Sequence, residues 1–151
     1  NGINLRSEIR FSYEGGDRLV AIQTVAEISG LASHSAGYLS VHPTFGPWIA
    51  LRAAVVFDLG WTLPTPPAPE EGQIPPAWEA DCERAFQEAC SVHEGAELNH
   101  EEVRNNWELW LKVREACPIG TQYRYSQEQI LYHYTHDRSV LLRAVEEKRR
   151  T

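Results

Sequence analysis

An α+β fold, a small antiparallel sheet with packed helices, is predicted from three features of this chain. Strand formers and two-residue alternation concentrate before Asp58, and apolar positions at helical spacing dominate after Trp78. Between them runs a proline-rich segment, Gly60 to Pro76, which reads as an extended crossing rather than regular structure. With 151 residues, 42% of them apolar and 23% charged, one globular domain over 1–151 is expected.

The first element is a short strand over residues 6–13, Arg-Ser-Glu-Ile-Arg-Phe-Ser-Tyr, ended by Gly15-Gly16. Asp17 is placed to cap a helix carrying Leu19, Ile22 and Ala26, which stops around Ser29-Gly30. Tyr38 to His42 reads as extended, with Leu39 and Val41 on one face. Trp48 to Phe57 is almost wholly apolar, so a strand buried on both faces is expected there. Pro43 to Pro47, between these two, has a length suited to a hairpin connection. After the prolines, Trp78, Cys82, Ala85, Phe86 and Ala89 form one helical stripe. Asn99 with Glu102 makes a capping box for a helix whose core face is Val103, Trp107, Trp110 and Leu111. Ser126 with Gln129 repeats that chemistry before Ile130, Leu131 and Tyr134. Asp137 caps the last helix, carrying Val140, Leu141, Ala144 and Val145.

Bulk properties exclude several function classes. A net charge of −7 opposes nucleic acid as a main partner, because phosphate binding needs a basic surface. The basic tail Lys148-Arg149-Arg150 reads as a solvated helix end. No run approaches the roughly 18 apolar residues of a membrane span, and no signal-peptide pattern opens the chain. Three cysteines, an odd number, point to a reducing, cytoplasmic setting rather than a disulfide framework. Methionine is absent, even at position 1, which suggests a fragment or a processed product.

Arg52 is the sharpest candidate for chemistry. Its neighbours from Ile49 to Phe57 are otherwise apolar, which places its charge near the core, where a guanidinium needs an anion. That anion is either an acid of this chain, such as Asp58, or a ligand carboxylate or phosphate held by the planar fork. Arg124 lies between Tyr123 and Tyr125 just before a helix N-terminus, so it reads either as a second anion-binding group or as a solvated arginine stacked on tyrosine. Arg114, before the Cys117-Pro118 turn, is a third candidate. Cys82, Cys90 and Cys117 lack the close spacing of iron–sulfur ligands and read as core or loop thiols. His133 and His136 read as helix-end histidines without the third protein ligand that zinc requires, so no metal site is assigned. His42 is placed to bond backbone at the turn it opens.

His42-Pro-x-Phe-Gly-x-Trp48-x-Ala50-x-Arg52 resembles the central motif of the CblC family of cobalamin-trafficking proteins. Val20-Ala21-x-Gln23-Thr24, followed by Ala26 and Gly30, is similar to the helix preceding that motif. Arg124-Tyr125-Ser126-x-Glu128-Gln129-x-x-Tyr132 resembles the family's late arginine block without a gap. The likeness runs from about Gly15 to Tyr134, and is poor across the proline segment and the first two late helices.

This resemblance implies a nitroreductase-like fold that binds cobalamin base-off. It implies removal of the upper axial ligand, by reductive decyanation or by passing an alkyl group to glutathione. Arg52 and Arg124 match the arginines that hold the glutathione carboxylates. Val20, Ala21, Ile22 and Gln23 fall where the family meets the corrin. His34, Ser35, Ser40 and Leu51 also fall at corrin-contacting positions, although their identities differ from the family's. A second likeness, of Ala89-Cys90, Gly95-Ala96 and Ala116-Cys117-Pro118-Ile119-Gly120, is to the ferredoxin-type segment of corrinoid-dependent reductases such as epoxyqueuosine reductase. There Phe86 stands where a further cluster cysteine is expected, and Ser91 replaces a proline. The stretch before the Gln23-Thr24 helix is shorter than the family's, which leaves room for a homodimer or a second chain completing the site. Three functions stay open: a corrinoid-processing protein, a non-catalytic binding or assembly subunit, and an iron–sulfur relative with a degenerate cluster site.

Overall fold

The computed structural model describes residues 6–58, 76–92 and 100–150. Its architecture is α+β, with six helices and two small antiparallel sheets among the described residues. Strand β1 (Ser7–Phe11) pairs with β4 (Ala53–Phe57) in the register Ser7↔Phe57 to Phe11↔Ala53. Strand β2 (Ser33–His34) pairs with β3 (Ser40–Val41), Ser33 facing Val41 and His34 facing Ser40. The crossing predicted over Gly60 to Pro76 falls outside the described residues except for Pro76, which opens a helix instead, and the Asn99 cap also falls outside them.

Helix α1 (Ile22–Ile28) begins later than Asp17 predicts. Gly16–Arg18 instead forms a single 3₁₀ turn, and Leu19 then extends, 71% exposed. The cause is Arg18, whose guanidinium bonds Glu14 at 2.6 Å, Glu8 at 3.2 Å and the Ile9 carbonyl at 2.7 Å. These bonds tie the turn to β1 and leave Asp17 outside the helix. Only Ala26 of α1 is buried.

The strand expected over Trp48 to Phe57 is corrected in length and in burial. It begins only at Ala53, and Val55, Val56 and Phe57 are each at least half exposed, with Ala54 alone buried. Among the described residues β1 is the one partner strand and only α1 packs against β4, which leaves this ribbon largely open. Residues 48–52 have no regular structure, and Ile49 to Arg52 line a cleft instead.

Helix α2 (Pro76–Ser91) buries the predicted stripe, with Trp78, Cys82 and Ala89 in the core and Ala85 and Phe86 half-buried. It packs on α4 (Trp107–Glu115), and Val41, Val113 and Cys117 complete that core. The single helix expected past Asn99 is two, α3 (His100–Asn105) and α4, because Asn106 breaks it. The Asn106 side-chain amide donates to the Glu102 carbonyl at 3.2 Å, and its backbone leaves helical geometry at φ −115°, ψ 28°. Helix α5 (Gln127–Thr135) carries the predicted capping box in full, Gln129 N–H to Ser126 and Ser126 N–H to Gln129. It ends at His136, which takes the left-handed conformation at φ 53°. Asp137 accepts from the Ser139 N–H at 2.8 Å and so opens α6 (Arg138–Arg150). Of its predicted apolar face only Val140 is buried, and Leu141 and Val145 stay exposed. A second small core of Trp48, Leu111 and Ile130 joins residues 48–52 to α4 and α5. A buried branched aliphatic such as Ile130 stabilises by about 1.5–3 kcal/mol.

Candidate functional site

Two short turns, far apart in sequence, dock backbone to backbone and so create the site. In the first, His42 and Gly46 exchange backbone hydrogen bonds of 2.9 and 2.8 Å. The His42 Nδ1 accepts from the N–H groups of Thr44 at 3.0 Å and Phe45 at 3.3 Å, as the sequence led us to expect. Gly46 and Gly120 both sit in the left-handed region, at φ 58° and 73°. A Cβ on Gly46 would overlap the Ile119 carbonyl, and one on Gly120 would overlap the Phe45 carbonyl. Phe45 also meets Tyr123 edge-on at 4.8 Å. This contact fixes the chain that leaves Gly46, and Trp48 then enters the core against Leu111, Ile130 and the Tyr125 ring.

Past Trp48, the run Ile49 to Arg52 forms the wall of a cleft of about 280 Å³. Ile22 and Gln23 of α1 and Ser40 of β3 face it, and Arg114 of α4 and His133 of α5 close it. A second cleft of about 410 Å³ shares Ala50, Arg52 and His133 with the first, and adds Tyr125, Gln129, Tyr132 and His136. The two are therefore contiguous around Arg52 and His133.

The electrostatics are one-sided. Among the described residues no carboxylate lines either cleft, although the chain carries 21 acidic and 14 basic residues. Arg114 donates to two neutral acceptors, the Pro47 carbonyl at 3.1 Å and His133 Nε2 at 3.2 Å. Burial, aided by the charges of Arg114 and Arg52, pushes His133 down to about 4. The imidazole is thus neutral at pH 7, and its Nε2 accepts from the guanidinium. Arg52 makes no side-chain ion pair or hydrogen bond among the described residues.

The sequence-predicted site residues divide into two groups. Ile22, Gln23, Ser40, Leu51 and Arg52 come together in the first cleft. Gln23 is held there by its side-chain donation to the Tyr38 carbonyl at 2.8 Å. The others lie elsewhere. Val20 and Ala21 precede α1 and line neither cleft, and His34 is exposed on β2, edge-on to Tyr38 at 5.8 Å. Ser35 is buried and accepts from the Leu39 N–H at 3.2 Å, so it serves the β2–β3 turn. Arg124 lines neither cleft: Glu115 holds it at 2.7 Å, and it lies 5.9 Å over the Trp48 ring. Arg52 itself is exposed rather than near the core, because the strand that was to bury it starts one residue later.

His133, His136 and Gln129 were not expected at an anion-binding cleft. A signal was present: Gln129, Tyr132, His133 and His136 recur at i, i+3, i+4 and i+7, one face of a helix, and all four line the second cleft. The thiols take no part. Cys82 and Cys117 are core residues, and burial raises both, Cys117 to about 11. Among the described residues no three His, Cys, Asp or Glu side chains gather in a metal-binding arrangement. Comparison with protein-family models, curated proteins and solved structures gives no match.

Proposed function

We propose that this chain binds a corrinoid of the cobalamin type and processes its upper axial ligand, in the manner of the CblC family. The observation that supports this reading most is the convergence of Ile22, Gln23, Ser40, Leu51 and Arg52, from three separate stretches of chain, on one cleft that no carboxylate lines among the described residues. In this reading the α+β core is part of a nitroreductase-like domain, working in the cytoplasm. The cobalt supplies the redox or alkyl-transfer chemistry, and the protein supplies binding and orientation. Arg52 then holds a carboxylate of a small thiol co-substrate such as glutathione, through the fork that suits a carboxylate. Clefts of about 280 and 410 Å³ lie at the low end of the roughly 300–1,000 Å³ typical of small-ligand pockets. They match a tripeptide-sized thiol, with the corrin covering the cleft mouth rather than entering it. A neutral His133, and no acid beside Arg52 among the described residues, keep that guanidinium available to an anion.

The test is a titration of the protein with hydroxocobalamin and with methylcobalamin, followed in the visible spectrum. A blue shift to the base-off form is expected, and an unchanged spectrum at saturating protein refutes corrinoid binding. Arg52→Ala should slow thiol-dependent dealkylation while sparing the spectral shift, and equal rates in mutant and parent would remove the clamp.

One observation favours a second reading, a non-catalytic binding or assembly subunit. The β1–β4 ribbon exposes Ile9, Val55 and Phe57 on one face, each at least 46% accessible, an apolar surface suited to another chain. An unchanged cobalamin spectrum together with a stable dimer in sedimentation would favour that reading.

A further inference from the structure

We infer that the paired clefts bind a small molecule with two negative charges, held between Arg52 at the rim and Arg114 at the floor. This deepens the reading above by naming Arg114, rather than Arg124, as the second cation, and it rests on that reading only for the identity of the natural ligand. The juxtaposition itself is structural. Both arginines line the first cleft, and among the described residues no acid lines it with them. Arg124, by contrast, is satisfied by Glu115 at 2.7 Å.

Arg114 is half-buried, and the partners of its guanidinium among the described residues are all neutral: the Pro47 carbonyl, the His133 imidazole and Tyr134, whose ring it overlies at 6.0 Å. A guanidinium carries five N–H donors, so donors remain for an incoming oxyanion. Leaving a partly buried cation without a counter-charge is costly, and an oxyanion in the cleft would offset that cost. Arg52 is exposed and has no partner among the described residues, so a second oxygen group would meet a free fork at the cleft mouth. The ligand class is therefore a dicarboxylate or a phosphate rather than a monocarboxylate. His133 touches Arg114 and senses the charge of Arg52, so it reports on the occupancy of both.

The experiment uses succinate, inorganic phosphate and acetate as probes, measured by calorimetry without any corrinoid present. Succinate or phosphate should bind about tenfold or more tighter than acetate, as expected when a second charge-assisted contact is made. Arg52→Gln and Arg114→Gln should each weaken the dianion about tenfold or more, and Arg124→Gln should leave it unchanged. Because Arg114→Gln removes a bond to Pro47 and could disturb folding, a second measurement uses the unmutated protein. Imidazole NMR should show the His133 pKa rising when sulfate, which stays doubly charged near pH 4, is added, since the anion neutralises the charges that depress it. A constant His133 titration, equal binding of succinate and acetate, or loss of binding in Arg124→Gln alone would each overturn the inference. Dianion binding without a cobalamin spectral shift would sustain it and sink the corrinoid reading.

Discussion

Replacing Gly46 by alanine should destabilise the protein by about 2–5 kcal/mol, from two separable causes. Holding an L-residue in the left-handed region costs about 1–2 kcal/mol, and Gly46 sits at φ 58°. The added Cβ also meets the Ile119 carbonyl, so one turn must move off the other, an overpacking cost of about 1–3 kcal/mol. Gly120→Ala should cost about the same, because its Cβ meets the Phe45 carbonyl from the opposite side. Once either alanine has separated the turns, the other finds room, so the double mutant should lose about 1–3 kcal/mol less than the sum. Gly15→Ala is the control: its Cβ meets nothing within 4 Å, and its φ of −123° is ordinary. Urea unfolding, read as a midpoint shift at constant slope, measures all four variants. A Gly46→Ala loss below about 1 kcal/mol, or strict additivity in the pair, would refute the docked-turn reasoning.

His133 titrates at about 4 in the folded chain, well below the ordinary value of 6.5, so unfolding takes up a proton as pH falls. Stability should be full above about pH 6.5 and decline from there to about pH 4. The decline should total about 1–2 kcal/mol after allowing for partial solvent access, and His133→Gln should flatten that slope in urea melts. Ser126→Ala should cost about 1 kcal/mol by urea unfolding, through loss of the capping box at α5. Cys82 and Cys117 should resist alkylation by iodoacetamide at pH 8 in the folded protein and react after denaturation. Rapid native modification of Cys117 would contradict its burial.

The late helices were legible because their signals are local. Ser126 with Gln129 and Asp137 with Ser139 act within one turn, and the Trp78–Cys82–Ala89 stripe buries as its spacing predicts. Reading failed where a distant residue overrode a local preference. Asp17 lost its helix because Arg18 reaches back to β1, and the Trp48 strand shortened because only β1 pairs with its end. Asn106 split a continuous helical pattern through one side-chain bond to Glu102.

The candidate site divides the same way. Arginine amid apolar residues, aromatic neighbours and a turn glycine marked Arg52 as a candidate anion-binding group from sequence. Its exposure, the capture of Arg124 by Glu115 and the pairing of Arg114 with His133 depend on which side chains arrive from other elements. Residue types and their spacing along the chain determined the fold class, the caps of α5 and α6, and one cation. The counter-ions, and hence which cations stay free, were decided only when folding brought α4 and α5 against residues 48–52. A charge is satisfied through space, and sequence order does not record that distance.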